Sequence, residues 1–150
     1  MCAKNSDQGF EILETMIERF HSAGYEFAFM SEICDHVASL PNLPALTHLE
    51  LHGPIAPDLE PLLRLPRLES LDLVLCDSLT DISALTRLAH LKTLCLASTP
   101  KLDDFAPLAK VKGLAELSLY RVGLANLKAI SAIPGLQSLS VGDCEKLEPE

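Results

Sequence analysis

Residues 65–87 have the sequence LPRLESLDLVLCDSLTDISALTR, and residues 88–110, LAHLKTLCLASTPKLDDFAPLAK, repeat its apolar pattern. Leu71 and Leu73, like their counterparts in the second stretch, are two residues apart, and this step places both side chains on one face of a strand. A single unit of this kind is too short to enclose a core. Stacked units bury their leucines together, so the repeat predicts a solenoid.

The same pattern extends through most of the chain. Units begin at steps of 22, 23, 23 and 22 residues, at Leu43, Leu65, Leu88, Val111 and Ile133. Each unit continues with a triplet of apolar residues: Leu46, Leu49, Leu51; Leu68, Leu71, Leu73; Leu91, Leu94, Leu96; Leu114, Leu117, Leu119; Leu136, Leu139, Val141. The first four units then carry an apolar pair three residues apart: Leu59 and Leu62, Ile82 and Leu85, Phe105 and Leu108, Leu127 and Ile130. This second spacing predicts a helical or 3₁₀ turn.

A leucine-rich helical bundle is the alternative to a solenoid. Bundle helices keep a 3.6-residue period, which excludes repeated two-residue steps between leucines. Prolines such as Pro66, Pro107 and Pro134 also interrupt helices. The spacing therefore favours short strands alternating with short turns.

The pattern resembles the leucine-rich-repeat superfamily over about residues 25–147. The period of about 22 residues, with segments such as 79–85, is similar to the internalin-like and phosphatase-1-regulator-like subclass. The resemblance implies an α/β right-handed solenoid with parallel strands on the concave face and short helical or 3₁₀ turns on the convex face. The family usually has asparagine three residues after the last strand leucine, where this chain has Pro54, Cys76, Thr99, Val122 and Cys144. Threonine and cysteine can partly replace that asparagine, whereas proline and valine cannot, so looser bends are expected in the first and fourth units.

Two domains are expected: an N-terminal cap with a degenerate zeroth repeat in residues 1–42, and five repeats, the last one truncated, in residues 43–150. Residues 8–22 have the apolar spacing of an amphipathic cap helix. Counting back 22 residues from the last two leucines of the first triplet leads to Phe27 and Phe29, which we expect to form the zeroth strand.

The C-terminal end of the repeats has no comparable amphipathic segment after its last strand. Its strand edge and apolar column are therefore expected to face solvent. Three explanations remain open: self-association through this end, docking onto a partner, or a shortened gene product.

The charge of the chain restricts its partners. Its 12 Lys and Arg against 21 Asp and Glu give a net charge of −9. Such a charge disfavours nucleic acids and anionic membrane surfaces and favours basic proteins or peptides. No apolar run approaches the roughly 18 residues of a spanning helix, and the first residues do not resemble a signal peptide. The five cysteines are odd in number and spread without a CxxC pair, which predicts reduced thiols in a cytoplasmic protein without a metal site.

The residues that alternate with the strand leucines are expected to form an outward grid on the concave face. His48, Glu50 and His52 share one strand, and Asp72 should lie beside Glu50 at about 4.8 Å in the next strand. One interpretation is an acidic patch that binds a lysine or arginine; the other is a solvated surface without a partner. A metal site from these four residues is a third alternative, although side chains two apart on a strand diverge.

Tyr120 and Arg121 are predicted interface anchors because tyrosine and arginine are enriched in binding hot spots, although a lone surface tyrosine is also common. Val74 extends the surface together with Leu75, unless Leu75 packs into the bend. Cys95 lies beside acidic Asp72, which should raise its thiol pKa and leave it unreactive. The predicted partner-binding set is His48, Glu50, His52, Asp72, Val74, Cys95, Glu116, Ser118, Tyr120 and Arg121.

Catalytic motifs are missing from the sequence. It contains no Gly-rich phosphate loop, no G-x-S-x-G elbow and no H-E-x-x-H helix, and a shallow sheet lacks the closed pocket that most enzymes use. We therefore expect no enzyme activity and no cofactor. The resemblance implies a protein-interaction module, an adaptor or regulator that binds its partner on the concave face. The alternative is an assembly protein that forms a homodimer or larger complex through its C-terminal edge.

Overall fold

The strands form one parallel sheet in chain order. The computed structural model describes residues 27–30, 44–53 and 57–147, with the backbone alone for 27–30. Within these residues the sheet has six strands, and each pairs in parallel with the next. They are β1 (Phe27–Met30), β2 (His48–His52), β3 (Ser70–Val74), β4 (Thr93–Thr99), β5 (Glu116–Val122) and β6 (Ser138–Gly142). The predicted α/β repeat architecture is confirmed.

Short helices connect the strands, as the second apolar spacing predicts. They are the 3₁₀ helices Glu60–Arg64, Ser83–Arg87 and Ala106–Lys110 and one α-helical turn, α1 (Lys128–Ser131). Each begins with a backbone N–H that donates to an Asp or Asn side chain two residues earlier, at 2.7–3.1 Å. The acceptors are Asp58, Asp81, Asp104 and Asn126. Such local bonds favour a turn over continued extension, and they recur with the repeat.

The apolar column is the core of the molecule. Leu49, Leu71, Leu94 and Leu117 are aligned in the strand register and are 0–2% exposed. Their partners two residues later are buried to the same extent. Burying one leucine side chain stabilises the fold by about 1.5–3 kcal/mol, so this column supplies much of the driving force for folding.

Two of the described members of the apolar pattern are exposed. Leu139 continues the row of Leu117 into β6 but is 43% exposed, because no further described strand covers it. Leu127 was expected in the column of Leu59 and is 39% exposed, while nearby Leu124 is 2% exposed. The repeat thus predicts burial correctly only where the next unit covers the side chain.

The zeroth strand exists, but its predicted register is wrong. In the structure Ala28 pairs with Leu49, and Met30 pairs with Leu51. The repeat between β1 and β2 is therefore 21 residues, and a shift of one residue exchanges the two faces of a strand. The predicted cap helix in residues 8–22 lies outside the described residues.

The position where the family has asparagine is occupied differently in each unit. The thiols of Cys76 and Cys144 donate to the carbonyl oxygens two residues earlier, at 3.5 and 3.4 Å. Thr99 is fully buried, but its Oγ1 has no hydrogen-bond partner, so the expected replacement by threonine does not occur there. Val122 packs into the core at 4% exposure, and Pro54 lies outside the described residues.

Candidate functional site

The outward side chains of β2–β6 form three rows, which we call the sheet face. The register aligns His48, Ser70, Thr93, Glu116, Ser138; then Glu50, Asp72, Cys95, Ser118, Ser140; then His52, Val74, Ala97, Tyr120, Gly142. These residues are half-buried or exposed, whereas the leucines between them in β2–β5 are buried. All predicted partner-binding residues except Arg121 lie in these rows.

Two carboxylates meet in the middle row, and we call Glu50 and Asp72 the acidic cluster. They are paired across β2 and β3, and His52 Nε2 lies 2.5 Å from Glu50 Oε1. Burial raises the pKa of Asp72, and the nearby charge of Glu50 raises it further. Two partly desolvated carboxylates that destabilise one another attract a cation more strongly than an isolated surface acid does.

The histidines beside the cluster are held by local bonds. Thr47 Oγ1 and His48 Nδ1 form a hydrogen bond of 2.8 Å, and Glu50 holds His52. Within residues 44–53 and 57–147, no group of three or more His, Cys, Asp or Glu side chains could hold a metal ion. The metal alternative for these residues therefore has no support in the geometry.

Cys95 continues the middle row next to Asp72. Burial raises its thiol pKa, and the charges of Asp72 and Glu50 raise it further. The thiolate that nucleophilic chemistry requires is thus disfavoured, as the position beside Asp72 predicts, and the lack of reactivity stays a prediction.

Tyr120 is the large aromatic side chain of the sheet face and is 47% exposed. Its ring lies against Gly142, where a Cβ atom would approach Tyr120 Cδ2 to 2.7 Å. Its hydroxyl donates to Asp143 Oδ2 at 2.5 Å, and this bond raises the tyrosine pKa. The aromatic surface is therefore held in one orientation while its outer side stays accessible.

Arg121 follows Tyr120 in β5 but lies outside the three rows of the sheet face, and its role as an interface anchor stays a prediction. Its backbone φ is +53°, which breaks the strand alternation at this residue. Equivalent residues in the other units have the same left-handed backbone: Gly53, Leu75, Ser98 and Asp143, with φ from +49° to +95°. This conformation costs a non-glycine residue roughly 1 kcal/mol, and sequence analysis missed it because only Gly53 signals it.

The left-handed residues line a groove at the carboxyl ends of β3–β6. We call it the strand-end groove; its volume is about 390 Å³. Leu75, Ser98, Arg121 and Asp143 contribute to its lining together with Pro100 and Val122. Leu75 is 53% exposed, so the alternative in which it packs into the bend is wrong.

Membrane insertion has no helical element to support it in the described part of the chain. Every described helix is too short to cross a bilayer.

Two internalins of Listeria monocytogenes are similar to the chain in structure. InlF is 26% identical in sequence, with a TM-score of 0.57, and the match covers 65% of this chain and 28% of the InlF chain. InlC2 is 30% identical, with a TM-score of 0.56, and the match covers 70% of this chain and 50% of the InlC2 chain. The chain therefore spans half or less of the length of these two proteins.

The leucine-rich repeat domain of the type III effector XopL has the same fold. It is 16% identical, with a TM-score of 0.57, and the match covers 99% of this chain and 62% of that domain structure. Sequence comparison matched the chain to no family model and to no curated protein. The structural matches establish the architecture.

Proposed function

Because the chain is a leucine-rich-repeat protein, we propose that it is a non-catalytic protein-interaction module that binds a partner on its sheet face. The observation that carries this proposal is the pairing of Glu50 with Asp72 on an open face. An open sheet suits an extended protein surface better than a small substrate that must be enclosed.

The partner we propose presents a lysine or arginine to the acidic cluster. Since burial and Glu50 both raise the pKa of Asp72, a cation that binds between the two carboxylates relieves their repulsion. The net charge of −9 favours approach of the same class of partner over longer distances. His48 and His52 border the contact, and the other predicted residues that lie in the rows of the sheet face continue it across β3–β5.

Tyr120 is the proposed aromatic anchor of this contact. Its ring is positioned by Gly142 and its hydroxyl by Asp143, so little side-chain entropy is lost when a partner packs on it. Val74 lies two strands away in the same row and is half-buried. The two residues provide the apolar part of a surface whose centre is polar.

A titration of the ¹⁵N-labelled chain with a short lysine-rich peptide, monitored by NMR, tests the proposal. We expect saturable amide shifts at Glu50, Asp72 and Cys95, and about fivefold weaker binding for Asp72→Asn. The matched control is Asp103→Asn, which removes the same charge from an exposed residue outside the sheet face. Equal weakening by the two variants would reduce the contact to overall charge and contradict the proposal.

The finer parts of the proposal concern the cellular role of the chain and its subclass. An adaptor or regulatory role in the cytoplasm agrees with an open binding face and with the reduced thiols of Cys95 and Cys144. Membership of the internalin-like subclass is supported by 26% and 30% identity to InlF and InlC2. Secretion of the chain in a form with oxidised cysteines would contradict the cytoplasmic role.

Self-association through the C-terminal edge is the second candidate function. Leu139 is 43% exposed at a position that is 0–2% exposed in β2–β5, and Val141 beside it is half-buried. Light scattering over a range of concentrations tests this candidate. A dimer that dissociates in Val141→Asp supports it, and a monomer at all concentrations removes it.

A further inference from the structure

We propose that the strand-end groove is a second binding surface, which takes an extended peptide segment carrying one apolar and one carboxylate side chain. The proposal is independent of the sheet-face function, because it concerns other residues and the opposite charge. Its occupant belongs to the acidic, apolar class of peptide, whereas the acidic cluster selects basic groups.

The backbone of the groove gives the first argument. Gly53 adopts the left-handed conformation without cost, but Leu75 and Arg121 adopt it with large side chains. Glycine would serve the bend equally well at both positions. Residues kept in an unfavourable backbone conformation are concentrated at functional sites, so a leucine and an arginine at these bends point to a contact made by their side chains.

The exposure of these side chains gives the second argument. Leu75 is 53% exposed and Pro100 in the same groove lining is exposed as well, and the two form an apolar surface with no covering group in the described residues. Arg121 is exposed, and within residues 44–53 and 57–147 its guanidinium makes no hydrogen bond or ion pair. An unpaired guanidinium next to an apolar wall fits a carboxylate that arrives together with an apolar side chain.

The other charges in the lining limit the ligand to a single carboxylate at Arg121. Lys146 adds a second cation, and Asp143 already accepts the Tyr120 hydroxyl. Asp77 and Glu145 also line the groove and would repel a uniformly acidic peptide. The lining therefore selects one acidic side chain at a defined position and not a high negative charge.

The spacing between Leu75 and Arg121 determines the spacing of the ligand. Leu75 directly follows β3 and Arg121 lies in β5, and a separation of two strands corresponds to about 9.6 Å between their backbones. In a polyproline II segment, residues i and i+3 share a face and are about 9.3 Å apart. A leucine and an aspartate at this spacing match the two ends of the contact.

The test uses the peptide acetyl-PLPPDP-amide, titrated into the ¹⁵N-labelled full chain. We expect saturable amide shifts at Ser98, Arg121 and Gly123, and about fivefold or greater loss of affinity in Arg121→Gln. Arg67→Gln is the matched control, because Arg67 is exposed elsewhere on the chain. Leu75→Asn removes the apolar side chain and introduces a residue that tolerates the left-handed backbone, so it should also weaken binding.

Four outcomes would overturn the proposal. These are no saturable shifts at millimolar peptide, equal binding of acetyl-PLPPKP-amide, equal loss in Arg67→Gln, or shifts confined to the sheet face. The acidic-cluster variant Asp72→Asn separates the two surfaces. It should leave binding of the aspartate peptide unchanged, whereas Arg121→Gln should leave binding of the lysine-rich peptide unchanged.

Discussion

Tyr120 and Gly142 face one another across β5 and β6, and the tyrosine ring occupies the space that a side chain at position 142 would fill. A Cβ atom there would lie 2.7 Å from Tyr120 Cδ2 and 2.9 Å from Cε2. The missing side chain therefore allows the ring to lie flat on the sheet, where its hydroxyl reaches Asp143. A small residue in one unit thus determines the orientation of an aromatic residue in the preceding unit.

Gly142→Ala should displace this ring and break its hydrogen bond. The pKa of Tyr120, which the bond to Asp143 raises, should fall towards its ordinary value. Spectrophotometric titration of the phenol, with Tyr25→Phe as background, measures this change. Ser140→Ala in the same strand is the control, and an unchanged tyrosine titration in Gly142→Ala would contradict the packing argument.

Gly123→Ala should destabilise the chain through a backbone contact. A Cβ atom at this position would lie 2.5 Å from the carbonyl oxygen of Leu102, which is backbone and cannot rotate away. Overpacking of this kind costs about 1–3 kcal/mol. Gly135→Ala is the matched control, because a Cβ atom there meets no atom within 4 Å and the only cost is the backbone strain at φ +80°. Urea unfolding compares the two, and equal destabilisation would mean that the close approach is relieved.

Leu75→Asn should stabilise the isolated chain, since asparagine tolerates the left-handed backbone better than leucine. The expected gain is at most a few tenths of a kcal/mol, because the relief of roughly 1 kcal/mol of backbone strain is largely offset by the burial that the leucine still has at 53% exposure. Leu139→Asn is a suitable control: Leu139 is 43% exposed but has an ordinary strand backbone, and its replacement should give no gain. A loss of stability in Leu75→Asn would show that the leucine side chain makes stabilising contacts in the chain without a ligand.

The leucine column and the rows of the sheet face could be predicted because both follow from the two-residue period and a nearly constant repeat. The register of β1 could not be predicted, since the repeat between β1 and β2 is 21 residues long and nothing in the sequence near Phe27 indicates that it is one residue shorter. Leu127 and Leu139 fit the pattern but are exposed, and for Leu139 the reason is that no further strand of the described residues covers it, which a local pattern does not report.

The strand-end groove was missed for a different reason. Its left-handed residues share a backbone conformation but no side-chain type, and only Gly53 has the residue that this conformation favours. The sequence could have predicted the acceptors of the turn hydrogen bonds, which are Asp58, Asp81, Asp104 and Asn126. They recur at the repeat distance and are residues that bond to nearby backbone N–H groups.

Asp72→Asn should change how stability depends on pH. Because the folded chain raises the pKa of Asp72, this residue contributes stability that is present below the unfolded pKa and is lost as the pH rises through the folded pKa. At neutral pH the variant should therefore be more stable by a few tenths of a kcal/mol, after allowance for solvent screening. Thermal unfolding at pH 3 and pH 7 measures this, and the difference should disappear at pH 3. A variant that is less stable at pH 7 would mean that Asp72 is stabilised by its surroundings.

Leu94→Ala and Leu139→Ala remove the same atoms from one row of the repeat and should differ widely in effect. Leu94 is 0% exposed and lies between Leu71 and Leu117, which are also buried. Its truncation therefore leaves a cavity and should destabilise the fold by about 2–5 kcal/mol. Leu139 is 43% exposed and should cost less than about 1 kcal/mol in a monomer. Urea unfolding at low and high protein concentration measures both. A large, concentration-dependent cost at Leu139 would indicate that a second copy covers β6, whereas equal small costs would contradict the stacked column.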